Sequence, residues 1–179
     1  MKGYAYMSQI HGIITQEVND MAKDKFAQWL NMNPVTQTGN DVLTHSETII
    51  PTSPEEGKVI AIHAVDFMCG MLTAVDACWV MPVIATRPGL GLGDLVPGSP
   101  YLVAWTEQEM RFNTDGMSAF DVQRMLTYPV PFLVAHQKLY LYATSAVTGE
   151  AQVMRARILF TFEKVSTEEF FQALAQFGA

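Results

Sequence analysis

Two cysteines in 179 residues are too few for a disulfide framework. Cys69 and Cys78 have neither CxxC spacing nor a nearby histidine pair that would complete a zinc site. Two buried thiols are the expectation, with a disulfide across a hairpin as the alternative. Charge is scarce as well: 16% of the residues are charged, against about a quarter in an ordinary soluble domain. Basic charge is the scarcer kind, with 11 Lys and Arg facing 18 Asp and Glu for a net charge of −7. Nucleic-acid binders carry a basic stripe or arm, whereas residues 1–57 hold only Lys2, Lys23 and Lys25 against Glu17, Asp20, Asp24, Asp41, Glu47, Glu55 and Glu56. The N-terminal end is acidic, and there is no strong signal for direct nucleic-acid binding. Long apolar runs are missing too. Pro82, Thr86 and Arg87 interrupt the best stretch, ACWVMPVIATR, well short of the roughly 18 apolar residues that span a bilayer. Ser8, Gln9 and His11 break the apolar N-terminus, and no small-residue cleavage site follows, so no secretory signal is expected.

What the chain does have is apolar residues, 49% of the total, with a mean hydropathy of +0.13. That excludes a disordered tail protein. A chain of this length supports one substantial core, and the low charge leaves more apolar surface than a lone core requires, which points to a partner.

The pattern along the chain is mostly strand. Near the N-terminus, Asn19 is a candidate cap, and Ala22, Phe26, Trp29 and Leu30 follow a 3.6-residue period until Asn33-Pro34, predicting a helix over about residues 20–31. Residues 35–52 read as two short strands around Gly39-Asn40-Asp41. KVIAIHAVDFMC is apolar on both alternating faces and reads as a central strand covered on both sides. ACWVMPVIAT reads as its antiparallel return, with Pro82 implying a bulge or an edge position. RPGLGLGDLVPGSP, residues 87–100, is half Gly and Pro and predicts a long loop. Strands follow at 101–112, 132–144 and 151–165, the last two joined as a hairpin around Gly149, while SAFDVQRML fits either helix or strand. In the last strand Met154, Ala156, Ile158, Phe160 and Phe162 face one way, and Arg155, Arg157, Thr161 and Glu163 the other. Ser166 with Glu169 forms a capping box, and Val165 with Phe170 a hydrophobic staple, predicting a helix over 167–177 closed by Gly178.

The chemical motifs are thin. GLGLGD at 89–94 lacks a following GK[ST] and the GxGxxG spacing, and Pro97 to Pro100 occupy the place where a phosphate-binding helix would start. His11, His45, His63 and His136 form no HxH or HExxH pair, so a metal-dependent jelly-roll enzyme lacks its ligands and no catalytic residue is assigned. His63 and His136 fall in predicted strands and read as sheet histidines. Glu107 and Glu109 share a strand face with Trp105 and Arg111; a solvated face is the first reading, and calcium at an interface a lesser one. Arg155 and Arg157 suit bidentate carboxylate pairing within or between subunits. Phe26, Trp29, Leu30, Phe170, Phe171 and Phe177, with these two arginines, are the candidate subunit-interface residues.

About eight strands with an N-terminal segment, a long Gly/Pro loop and a capped terminal helix make a pattern carried by GKVIAIHAVDFM, TRPGLGLGDL and VMRARILFTFEKVSTEEFFQAL. It resembles the single jelly-roll viral capsid (coat) proteins. The resemblance implies a mainly β fold, an eight-stranded antiparallel β-sandwich over residues 35–179, preceded by an arm with a helix over 1–34 and ending in the helix at 167–177. It further implies a structural role without catalysis or cofactor: self-assembly into an icosahedral shell through edge-to-edge and arm or helix contacts. The partners it implies are copies of the chain itself, other capsid proteins or an internal membrane, with localisation in a virion after synthesis in the host cytoplasm. The chain departs from the many capsid proteins that carry an Arg/Lys-rich arm. The alternative is a β-sandwich carbohydrate-binding module, which would need Trp105 or Tyr101 as an aromatic platform.

Overall fold

The computed structural model describes residues 26–37, 42–53, 55–74, 78–96, 98–110, 118–146 and 152–175. Within them lie two antiparallel five-stranded sheets and one α-helix. In the first sheet, β1 (Gln28–Asn31) and β2 (Val35–Gln37) lie end to end along one edge of β10 (Gln152–Lys164), followed by β4 (Lys58–Ala74) and β8 (Ser118–Val134). In the second, β3 (Thr44–Ile49) pairs with β9 (Lys138–Ala146), then comes β5 (Cys78–Ala85), whose far edge carries β6 (Leu102–Trp105) and β7 (Gln108–Met110). The chain passes from one sheet to the other at β2–β3, β3–β4, β4–β5, β7–β8, β8–β9 and β9–β10. This strand order is that of a jelly-roll sandwich.

The segment count differs from the expected eight because two of eight strand positions are broken, one at a proline and one opposite a proline. Asn33-Pro34 separates β1 from β2, and Pro cannot supply a ladder N–H. Pro82 pairs with Ala143 on the β9 side of β5. On the other side the ladder runs from Val80↔Gln108 to Val83↔Trp105, so the gap at Thr106-Glu107 faces Met81-Pro82. Pro82 therefore sits in a central strand, and the interruption appears in its neighbour.

Three expectations need correction. Residues 28–31 form a strand where the helix over 20–31 was expected; their pairing with β10 overrides the helical period, and residues 1–25 lie outside the described residues. β5 does not return beside β4, nor β10 beside β9, since each pair is split between the two sheets. The strand expected at 132–144 is two strands, with Ala135, His136 and Gln137 between them, so His136 is a turn residue. Of the two readings open for SAFDVQRML, the strand is the one found, as the start of the long strand β8.

The sandwich interior is built by alternation. Ile60, Ile62, Val65 and Phe67 of β4 and Met154, Ala156, Ile158 and Phe160 of β10 meet Leu139, Leu141 and Ala143 of β9 and Val80 and Ile84 of β5. β4 is central, as its two-sided apolar pattern predicts. The Gly/Pro segment after β5 is a loop, but a packed one: Leu90 and Leu95 lie on Val83, Tyr140 and Tyr142 of the second sheet's outer face. The Tyr142 hydroxyl donates to the Arg87 carbonyl (2.8 Å) and accepts from the Leu90 N–H (3.2 Å).

The helix, α1 (Thr167–Ala175), starts as its sequence requires. The Glu169 carboxylate accepts from the Ser166 N–H (2.8 Å) and the Ser166 hydroxyl oxygen accepts from the Glu169 N–H (3.3 Å). Phe170 and Ala173 pack with Val59 and Ala135, flanked by Val165 and Leu174, which includes the staple pair. The last residues of the expected helix, Gln176 and Phe177, lie outside the described residues.

Candidate functional site

The outward face of the first sheet carries one unusual side chain. Val65 and Phe67 turn into the core, so Asp66 between them turns outward, yet none of its side chain is exposed. Arg157 of β10, its register partner on the neighbouring strand, covers it: Nε and Nη2 both donate to Oδ2 at 2.9 Å. The Trp29 ring of β1 lies over that guanidinium, 4.4 Å from Cζ to the ring centroid. The expected arginine pair therefore divides. Arg157 is paired within the chain and Arg155 is exposed. Asp66 went unnoticed in the sequence, although it is the only carboxylate in KVIAIHAVDFMCGMLTA, and a lone acid in a strand apolar on both faces needs a cation.

The other candidates also separate. Phe26 is 85% exposed and Trp29 42%, while Leu30 packs against the core. Phe170 is buried on its own sandwich and Phe171 is 57% exposed; Phe177 is not among the described residues. Apolar side chains that the periodicity did not single out are also exposed. Val130 (78%) stands between Pro129 and Pro131 where the β4–β8 register shifts, and Met125, Leu133 and Ile49 stand on strands. The Pro-Val-Pro triplet was the available signal, since prolines in a strand mark a bulge or an edge.

Several open clefts mark the surface. One of about 430 Å³ lies under α1, lined by Thr86, Ala135, His136, Gln137, Lys138, Tyr140, Phe170 and Leu174. Burial holds the His136 imidazole below its usual pKa. At its rim Lys138 and Glu47 form an exposed ion pair (2.8 Å), and their hydrogen bond lowers the Glu47 pKa and raises that of Lys138. A second cleft of about 230 Å³, lined by Trp105, Thr106, Glu107, Arg124 and Leu126, opens between the sheets. His63 bonds Thr161 on β10 (2.9 Å). The platform expected for carbohydrate is engaged elsewhere: Trp105 packs on the second cluster, and Tyr101 bonds Arg87 (3.0 Å). Glu107 lies between β6 and β7, and the side chains of Glu109, Cys69 and Cys78 lie outside the described residues. Among the described residues no group of three or more His, Cys, Asp or Glu could hold a metal ion, and no helix is long and apolar enough to cross a membrane.

No family model matches the chain, and no curated protein matches it. Among solved structures, it is similar to a chain from sacbrood virus of honeybee (13% identity, 78% of this chain and 72% of that one, TM-score 0.41). It is also similar to one from a Kashmir bee virus empty particle at acidic pH (14%, 78% and 77%, TM-score 0.35) and to one from Desmodium yellow mottle tymovirus (7%, 79% and 91%, TM-score 0.31).

Proposed function

We propose that this chain is a structural subunit of the jelly-roll capsid type, which associates with copies of itself into a shell and does no chemistry. The observation that carries the reading is where its apolar surface lies. Apolar side chains fill the sandwich interior, and Phe26 ahead of β1, Ile49 and Met125 on strands, Val130 at an edge bulge and Phe171 on the terminal helix are exposed. Isolated exposed apolar side chains are ordinary. Here they occur in a chain of low charge whose strand order is a jelly roll, an arrangement suited to lateral packing of sandwiches. The interface candidates are then Phe26, Trp29, Arg155 and Phe171, with Phe177 beyond the described residues. Other capsid proteins or an internal membrane are further partners this reading admits, and a virion is the location it implies.

Light scattering on the purified chain, followed by negative-stain imaging of the largest species, tests the proposal. Shells, pentamers or hexamers are expected. A 19.9 kDa monomer persisting at high concentration would overturn it.

A further inference from the structure

Residues 26–31 are tied to the sandwich differently from everything that follows them. In β1 only Leu30 turns toward the core; Gln28, Trp29 and Asn31 are exposed, as are Phe26 and Ala27 before them. β1 pairs with β10 alone, over four positions from Gln28↔Phe160 to Asn31↔Arg157, whereas β10 and β4 pair from Met154 to Lys164. Immediately afterwards the chain is pinned. Met32 is buried and its N–H donates to the Ala156 carbonyl (2.9 Å). Asn33 is held to β3 of the opposite sheet through Thr48 Oγ1 (2.8 Å), the Glu47 carbonyl (2.6 Å) and the Ser46 hydroxyl (2.6 Å). Val35 and Gln37 of β2 are buried.

Beside the short β10 ladder and Leu30, the side-chain contact on the exposed face is Trp29 on Arg157. That guanidinium is itself fixed by Asp66, and both belong to strands of the sandwich, β10 and β4. If β1 lifts away, the ion pair stays together and no charge is stranded. A fixed guanidinium facing outward is a platform on which an indole ring stacks better than any other side chain.

We propose that residues 26–31 form a strap that opens and closes as a unit about Asn33, and that the Trp29 ring on the Asp66-bound Arg157 is its latch. Opening bares the backbone edge of β10 from Arg157 to Phe160. The inference concerns a single subunit and does not rest on the shell reading.

Amide hydrogen exchange followed by mass spectrometry on the full chain tests it. In the wild type, peptides covering 28–31 should exchange together and faster than those of β2 and of the β10–β4 ladder. Trp29→Ala should speed exchange at 28–31 by about tenfold, the scale of a partly desolvated cation–π contact, with β2 and β4 unchanged. Trp29→Leu, which keeps apolar cover without an aromatic face, should behave like Trp29→Ala. Three results would each overturn the proposal: protection at 28–31 equal to that of the β10–β4 ladder, equal loss of protection throughout the sheet in Trp29→Ala, or wild-type exchange in Trp29→Leu.

Discussion

Asp66 and Arg157 show what one buried charge demands of its surroundings. A carboxylate with no exposed side-chain surface is tolerable only because a cation stands beside it, and removing one partner of such a pair costs about 3–5 kcal/mol. Arg157→Leu should therefore lower the unfolding free energy by about that amount. Replacing both charges, with Asp66→Leu added, should restore most of the loss, and urea denaturation of the two variants and the wild type closes the cycle. Gly57 is constrained by backbone instead of charge. Its φ is +60°, and a Cβ there would stand 2.3 Å from the Val165 carbonyl oxygen, so the tight approach of the turn before β4 to the end of β10 admits only glycine. At this scale the sequence was partly legible. Arg157 and Trp29 stood out by residue type, but the carboxylate that fixes Arg157 lies about 90 residues from it along the chain, and no local pattern reveals a cross-strand register of that range.

The elements were legible where their signals are local. The capping box and staple of α1 lie within six consecutive positions, and both form where the sequence puts them. Replacing Ser166 with Ala should lower Tm by about 2–4 °C, the equivalent of one lost cap in a chain of this size, read by thermal unfolding. The hydrogen bonds from Ser166 also hold the Glu169 pKa below its ordinary value. This contribution is present above the ordinary carboxylate range and is lost as pH falls through the lowered pKa, so the Ser166→Ala deficit should shrink in acid. The long strands β4 and β10 were equally legible from alternation. Their partners were not. Adjacent apolar strands joined by a short glycine-bearing turn normally make a hairpin, but a jelly roll uses such turns to carry the chain between sheets. The choice depends on which faces meet, a property of the assembled sandwich. The segment at 28–31 failed for the same reason: Phe26, Trp29 and Leu30 are spaced as in a helix, and a free β10 edge outweighs a four-residue helical preference.

At the scale of the whole molecule, the low charge and high apolar content have a visible destination, since the core is filled and large apolar side chains remain outside it. Deleting α1 would confuse two effects, because Phe170 is part of the subunit's own packing while Phe171 faces away and is 57% exposed. Point changes separate them. Val130→Glu and Phe171→Glu alter exposed side chains without opening a cavity, so each should change subunit stability by no more than about 0.5 kcal/mol. If these side chains meet another copy, each buried carboxylate must be desolvated without a cation, and the assembled fraction should fall at least tenfold. Sedimentation at matched concentrations, beside urea unfolding of the same samples, reads both quantities. Salt adds an independent axis. An association driven by apolar area strengthens in sulfate, whereas one driven by exposed ion pairs weakens as ionic strength rises. With Arg157 already committed to Asp66 and little basic charge elsewhere, the assembly proposed for the wild type should persist or grow in sulfate. Its dissolution there would assign the interface to Arg155 and the acidic surface instead.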